Sequence, residues 1–379
     1  MPDEDDSLTD AWLVDALRGA VLPTPPRAEW PALLRAADEH GVLPLLSDAA
    51  SMARWDNDLL VAMRPAVAAE TALSILRQVE LRRVLAAVAA AGLQPLVIKG
   101  AHLAFTCYRS PDRRPRLDTD LLIREADKAT LTSCIVALGY QPVPHVTGDV
   151  AFTQFSYQRF EEHGASHTLD IHWRIAIPKA FADRLTYDEL RRDAVHVPAL
   201  GPHALAPSPP LALLVACLHR TAHHGSADRL LWLYDIHLLA TVLSTGEWNV
   251  VIARADETGL APVVAGGLEH AAAHLGTAVP AGVIERLRDA SAQPDPDVLM
   301  FLAGEPPRFQ IAASDWRRIR GVRNRLRFVR EHLFPSPAYM RHRYGVSSRA
   351  ALPFLYAHRA LTGAVKWMKS GTRITRIWL

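Results

Sequence analysis

Residues 95–123, PLVIKGAHLAFTCYRSPDRRPRLDTDLLI, hold the pattern on which the fold turns. The apolar run 95–98 predicts a buried strand that closes on Lys99 and Gly100. A helix over 101–108, a Pro- and Arg-rich loop over 109–117 and a second strand over 119–123 follow. Side chains alternate faces along a strand, so Asp118 and Asp120 point the same way with Cα atoms roughly 6.5–7 Å apart. Gly100 has no Cβ, which lets an anionic group lie against backbone N–H groups where the helix begins. Lys99, Arg114 and Arg116 are cations placed to meet such a group. Alone, an Asp-x-Asp at a strand start is a weak signal, because surface strands often begin with acids that only cap or solvate.

Working outward, an Ala-rich helix over about 65–91 precedes the first strand, with Gly92 as its cap. Downstream, a helix over 125–138 ends at Gly139. The alternating stretches 151–157 and 167–173 predict two more strands, antiparallel neighbours joined through a turn at 161–164. Asp170 lies on the second of these, where it can converge with Asp118 and Asp120. Two carboxylates ~4 Å apart repel by about 4 kcal/mol at an effective dielectric of 20, so such a trio needs raised pKa values or a bound cation. Oxygen ligands favour magnesium, and two ions sharing the site suit phosphoryl or nucleotidyl transfer. Asp170 also admits a plainer role, satisfying His172 or a nearby arginine.

Taken in order, IKGAHLAFTCY, RLDTDLLI, LGY, LDIHWRI, LLVACLHRTAHHG and WLYDIHLLA resemble the uncharacterised nucleotidyltransferase family of the polymerase-beta-like superfamily, over roughly residues 30–290. The resemblance implies that Asp118 and Asp120 hold two Mg2+ ions. It further implies that Asp170 is the third ligand and helps deprotonate the acceptor, and that Lys99 and Gly100 form the phosphate turn. The substrates implied are an NTP and an acceptor hydroxyl or phosphate, with release of pyrophosphate; the acceptor is a small molecule, a peptide, a protein or tRNA. The chain departs from the family pattern at one point: Lys99-Gly100-Ala101 stands where Gly-Ser is usual, so a serine contact to the terminal phosphates is missing. A non-catalytic nucleotide- or nucleic-acid-binding regulator that retains the fold is the alternative.

The expected fold is therefore α+β: a small mixed-sheet core with N-terminal helices and a C-terminal all-helical domain. The divisions are an N-terminal helical module at 1–78, the α/β core at 79–200, a helical domain at 205–307 and a basic helical extension at 308–379. The first dozen residues read as a frayed acidic arm. In the helical domain, His219 and His223 share a helix face. No Glu stands where a zinc hydrolase would need one, so they either border the cleft as substrate contacts or make structural polar contacts.

Net charge of +2 conceals an asymmetry: residues 308–379 hold sixteen Lys or Arg against Asp315 and Glu331, and the rest of the chain is acidic. This basic extension admits three readings: docking on the acidic remainder, contact with nucleic acid, or contact with an anionic membrane, the last suggested by residues 365–369. Three scattered cysteines outside any metal spacing fit a reducing cytoplasm. The acidic N-terminus is unlike a signal peptide, and no apolar run approaches the ~18 residues of a transmembrane segment.

Overall fold

The computed structural model describes residues 4–144, 148–162, 164–224, 229–290 and 294–368. Four helices come first: α1 (Glu4–Leu17), α2 (Trp30–Glu39), α3 (Leu43–Met52) and the 34-residue α4 (Asn57–Ala90). The acidic start is thus the first turns of α1 rather than a frayed arm. Carboxylates are favourable at a helix N-terminus, where the backbone dipole is positive. Asp56 caps α4 by accepting from the Asp58 N–H, and the helix then runs through Pro65 without ending. The boundary drawn at 78/79 falls inside this continuous helix.

The sheet is mixed. Among the described residues its strands are β1 (Leu96–Ile98), β2 (Thr119–Leu122), β3 (Gln141–Pro142), β4 (Gln154–Phe160), β5 (Ser166–His172), β6 (Val195–His196) and β7 (Leu205–Ala206). Their spatial order is β3-β4-β5-β2-β1-β7-β6. Helix α5 (Lys99–Thr106) leaves directly from β1, and α6 (Lys128–Ala137) follows β2; the short α7 (Lys179–Ala182) and α8 (Tyr187–Arg192) follow β5.

Among the described residues seven further helices pack beyond the sheet: α9 (Pro209–His224), α10 (Leu230–Val242), α11 (Thr245–Glu257), α12 (Ala261–Leu275), α13 (Val283–Asp289), α14 (Pro296–Leu302) and α15 (Arg308–Arg318). The chain then continues into α16 (Val322–Leu333), α17 (Pro337–Tyr344) and α18 (Leu352–Met368). The fold is α+β, as the sequence predicts.

Strand alternation sorts the sheet's faces. Val97, Leu121, Leu169 and Ile171 join a core under Leu81, Val84, Leu85 and Val88 of α4 and Leu131 and Ile135 of α6. Leu96, Ile98 and Leu122 point the other way, into a larger core shared with α9, α10 and α12. The N-terminal helices α1–α3 contribute to that same core, so residues on either side of the sheet sequence bury one continuous apolar cluster.

Among the described residues one helix, α4, is long and apolar enough by length and composition to cross a membrane, where the sequence predicts no such segment. Its second half covers the sheet and buries Glu80, whose carboxylate accepts from Arg83, Arg159 and the Tyr140 hydroxyl. Burial opposes the Glu80 charge, but these donors hold the carboxyl down at about 2.

Candidate active site

β1 pairs antiparallel with β2, bringing Ile98 opposite Asp120, and β2 pairs parallel with β5, bringing Asp120 opposite Asp170. Residues opposite each other across a ladder share a face, so both carboxylates project toward the α9–α10 side of the sheet. Asp118 stands two residues before Asp120, at the entry to β2. The loop leading to it is tied down: Arg113 donates to Asp48, and Asp112 accepts from Ser110 and Thr71.

Asp120 Oδ1 carries two bonds of 2.7 Å, one from Lys99 Nζ and one shared with His172 Nε2. Its other oxygen accepts no hydrogen bond among the described residues. Asp170 is held by the Ser156 hydroxyl at 2.6 Å and by Gln154 at 3.3 Å, both from the neighbouring β4. One oxygen each from Asp120 and Asp170 and one ring nitrogen of His172 lie within 4.8 Å of one another, close enough to ligate one ion. His172 was not among the expected ligands. The signal was present, since it sits two residues after Asp170 on one strand and so shares its face.

The charges are unequally settled. Burial works against an ionised Asp120, but Lys99 and His172 beside it hold its carboxyl well below the usual range. Burial pushes Asp118 up to about 7, with Asp120 and Asp170 adding repulsion. Asp170 is raised by burial and by Asp120. Lys99 is buried too, yet the Asp120 carboxylate keeps its ammonium above the ordinary value. One lysine therefore serves an acidic cluster that could hold more positive charge. An oxygen-rich donor set with two carboxyls waiting to ionise fits a hard divalent cation.

Lys99 is also where the backbone turns. Its φ of +54° is left-handed, a conformation that costs an L-residue roughly 1–2 kcal/mol and favours glycine. Gly100 is demanded by a neighbour instead: a Cβ there would lie 2.2 Å from Arg114 Nη1. Arg114 itself is committed to α10, donating to both oxygens of Asp235 at 3.2 and 2.7 Å and to the Pro115 carbonyl. Tyr108 donates to the same Asp235 at 2.7 Å. The expected phosphate contact from Arg114 thus meets a guanidinium already occupied as a buried strut between the acidic loop and the helical region.

Arg116 differs. It is buried, its guanidinium lies 5.4 Å from the Phe105 ring centre, and none of its three side-chain nitrogens has a hydrogen-bond partner among the described residues. Burial, with Arg77 and Arg114 nearby, pulls it down to about 10.

A cleft opens between α5 and the helices α9 and α10, lined by Lys99, Gly100, Arg114, His219, Trp232 and Asp235 among others. None of the three aspartates lines it; Lys99 is the link, on the cleft wall and bonded to Asp120. His102 also faces the cleft, and burial depresses its imidazole to about 4, so it is neutral. His219 meets Trp232 edge-on at 5.8 Å, while the His223 ring lies 5.4 Å from that of His219, tilted by 33°, and does not line the cleft.

The family described as "Uncharacterised nucleotidyltransferase" matches residues 26–276. Among solved structures, the crystal structure of JHP933 from Helicobacter pylori is similar over 60% of this chain and 91% of its own, with a TM-score of 0.31 and 12% identity. Comparison with proteins of curated function finds no match.

Proposed function

Since the chain belongs to the uncharacterised nucleotidyltransferase family, we propose that it moves a nucleoside monophosphate from an NTP to an acceptor hydroxyl or phosphate. Asp118, Asp120 and Asp170 are the ligands of two Mg2+ ions in this reading. When bound, the ions supply positive charge at the reacting phosphate and the leaving pyrophosphate. The observation that supports it is the register, which sets Asp120 opposite Asp170 with Asp118 two residues earlier, together with Lys99, which lines the cleft beside Gly100 and is bonded to Asp120.

The residues divide the work. Lys99 and the N–H groups from Gly100 onward cradle the triphosphate at the start of α5, and Arg116, a buried cation with no hydrogen-bond partner among the described residues, receives an anionic oxygen. Lys99, which holds Asp120 in this structure, would be free to turn toward phosphate if a cation took over its place on the carboxylate. His172 orients Asp120, whose carboxylate would hold the cation. Asp170, with its raised pKa, takes the acceptor's proton. The acceptor oxygen then bonds to the α-phosphorus as the bond from that phosphorus to the β-phosphate bridge breaks, and pyrophosphate departs with the electron pair.

His219 and Trp232 border the nucleotide across the cleft, His223 supports His219 from behind, and Arg114 positions Gly100. The three free thiols, Cys107, Cys134 and Cys217, suit a reducing compartment, and we place the reaction in the cytoplasm.

Two measurements test this. Calorimetry with each NTP should show binding that requires Mg2+. Pyrophosphate release with a mixed acceptor pool should fall by about a hundredfold or more in Asp118→Ala. Unchanged release in a variant of intact helicity rejects the assignment.

A further inference from the structure

Helix α16 turns its aliphatic residues away from the protein. It docks through Phe328 and Glu331, which are buried, with Arg325 and His332 half-buried beside them. Val322, Leu326, Val329 and Leu333 follow one another at offsets of four, three and four, so they share an arc of about 60° on the opposite side. They are 72, 63, 38 and 54% exposed, and Phe334, just past the helix, is 63% exposed. Arg323, Arg327 and Arg330 are exposed along one border of this stripe, and Arg325 marks the other. Among the described residues Arg323 and Arg330 pair with no carboxylate, and Arg327 has only the buried Glu331 at 3.8 Å.

Charge decides what covers the stripe. A second copy meeting it about a two-fold axis sets these arginines against their own images. The segment 369–379 of this chain adds Lys369, Arg373 and Arg376, the same sign again. An RNA strand can satisfy the arginines with phosphate but leaves four aliphatic side chains in water, since they offer no face on which a base stacks. A bilayer bearing anionic lipid satisfies both parts: guanidinium groups meet headgroup phosphates while the aliphatic residues enter the acyl boundary.

We propose that α16 docks this protein on an anionic lipid surface, lying in the headgroup plane with Val322, Leu326, Val329 and Leu333 facing the membrane. The fold leaves the helix preformed, so binding orders nothing new in the described region.

The test is co-sedimentation of the full chain with vesicles of phosphatidylcholine alone, or of equal parts phosphatidylcholine and phosphatidylglycerol. Binding should be at least about tenfold tighter to the anionic vesicles and should weaken with salt. The exposed pairs Leu326→Asn with Val329→Asn, and Arg323→Glu with Arg330→Glu, should each weaken it by about tenfold or more while leaving thermal unfolding and NTP binding unchanged. The proposal is overturned if the two vesicle types bind alike, or if the apolar pair leaves vesicle binding intact. Binding to single-stranded RNA in place of vesicles overturns it too, as does a dimer in gel filtration that Leu326→Asn dissolves.

Discussion

Asp118 carries a cost that shows in the pH dependence of stability. Its carboxyl is raised in the fold to about 7 from an ordinary value near 4, so the folded chain holds a proton there that the unfolded chain has released. Its stability contribution is complete below the unfolded value and drains away as pH rises through 7. In chelator, Asp118→Asn should therefore match the parent near pH 4 and exceed it by on the order of 1–2 kcal/mol at pH 8, read from denaturant midpoints. Adding Mg2+ should reverse the order, because the parent gains a ligand and the variant does not. An asparagine variant less stable than the parent at pH 8 in chelator would remove the case for a strained acidic cluster. Much of this was legible beforehand. A period of two gives Asp170 and His172 one face, and the sequence predicts Asp170 converging on the pair Asp118 and Asp120; the cluster formed among the described residues is Asp120, Asp170 and His172, across a parallel pairing that the sequence does not specify. The pairing of Arg114 with Asp235, 121 residues away, was not legible, because sequence spacing says nothing about which distant helix meets a loop.

At the scale of elements, the start of α5 is fixed by what leans on it. Arg114 lies against the Gly100 Cα while its guanidinium is locked to Asp235 on α10, so the loop before Asp118, the Lys99–Gly100 turn and the helical region meet at one buried ion pair. A methyl group at position 100 would force Arg114 off Asp235 and leave a buried carboxylate short of its partner. Breaking such a pair costs about 3–5 kcal/mol, so Gly100→Ala should lose roughly that much stability and most NTP affinity together. A variant with parental unfolding and parental binding would show that the guanidinium has room to retreat. The sequence marks Gly100 as a special turn residue, but for backbone freedom; the left-handed backbone falls on Lys99, and Gly100 is required by crowding. The strands beyond β5 escaped the sequence reading for a different reason: β6 and β7 are two residues each, too short for any alternation to register.

For the molecule as a whole, charge is divided between two regions. Residues 1–307 hold twenty-six Lys and Arg against thirty-eight Asp and Glu, and the remainder is about as strongly basic. Docking uses this complementarity locally: Arg317 and Arg318 reach Asp297, Arg318 also reaches Asp295, and Asp315 accepts from the Lys179 N–H at 2.8 Å. The third anchor is Glu331, buried on α16, which accepts from the N–H groups of Val150 and Ala151 at 3.2 and 2.8 Å beside the small apolar cluster of Ala151, Ile319 and Phe328. Glu331→Ala strands two backbone donors at a buried contact, a loss of about 2–4 kcal/mol that falls on docking rather than on the sheet. Trypsin should then cut near Arg308 at a protease level that leaves the parent whole, releasing the basic helices while the acidic remainder still binds NTP with Mg2+. Identical digestion of variant and parent would mean that the contacts to Asp295, Asp297 and Lys179 hold the extension without Glu331. Loss of NTP binding with the cut would mean that the extension belongs to the catalytic unit.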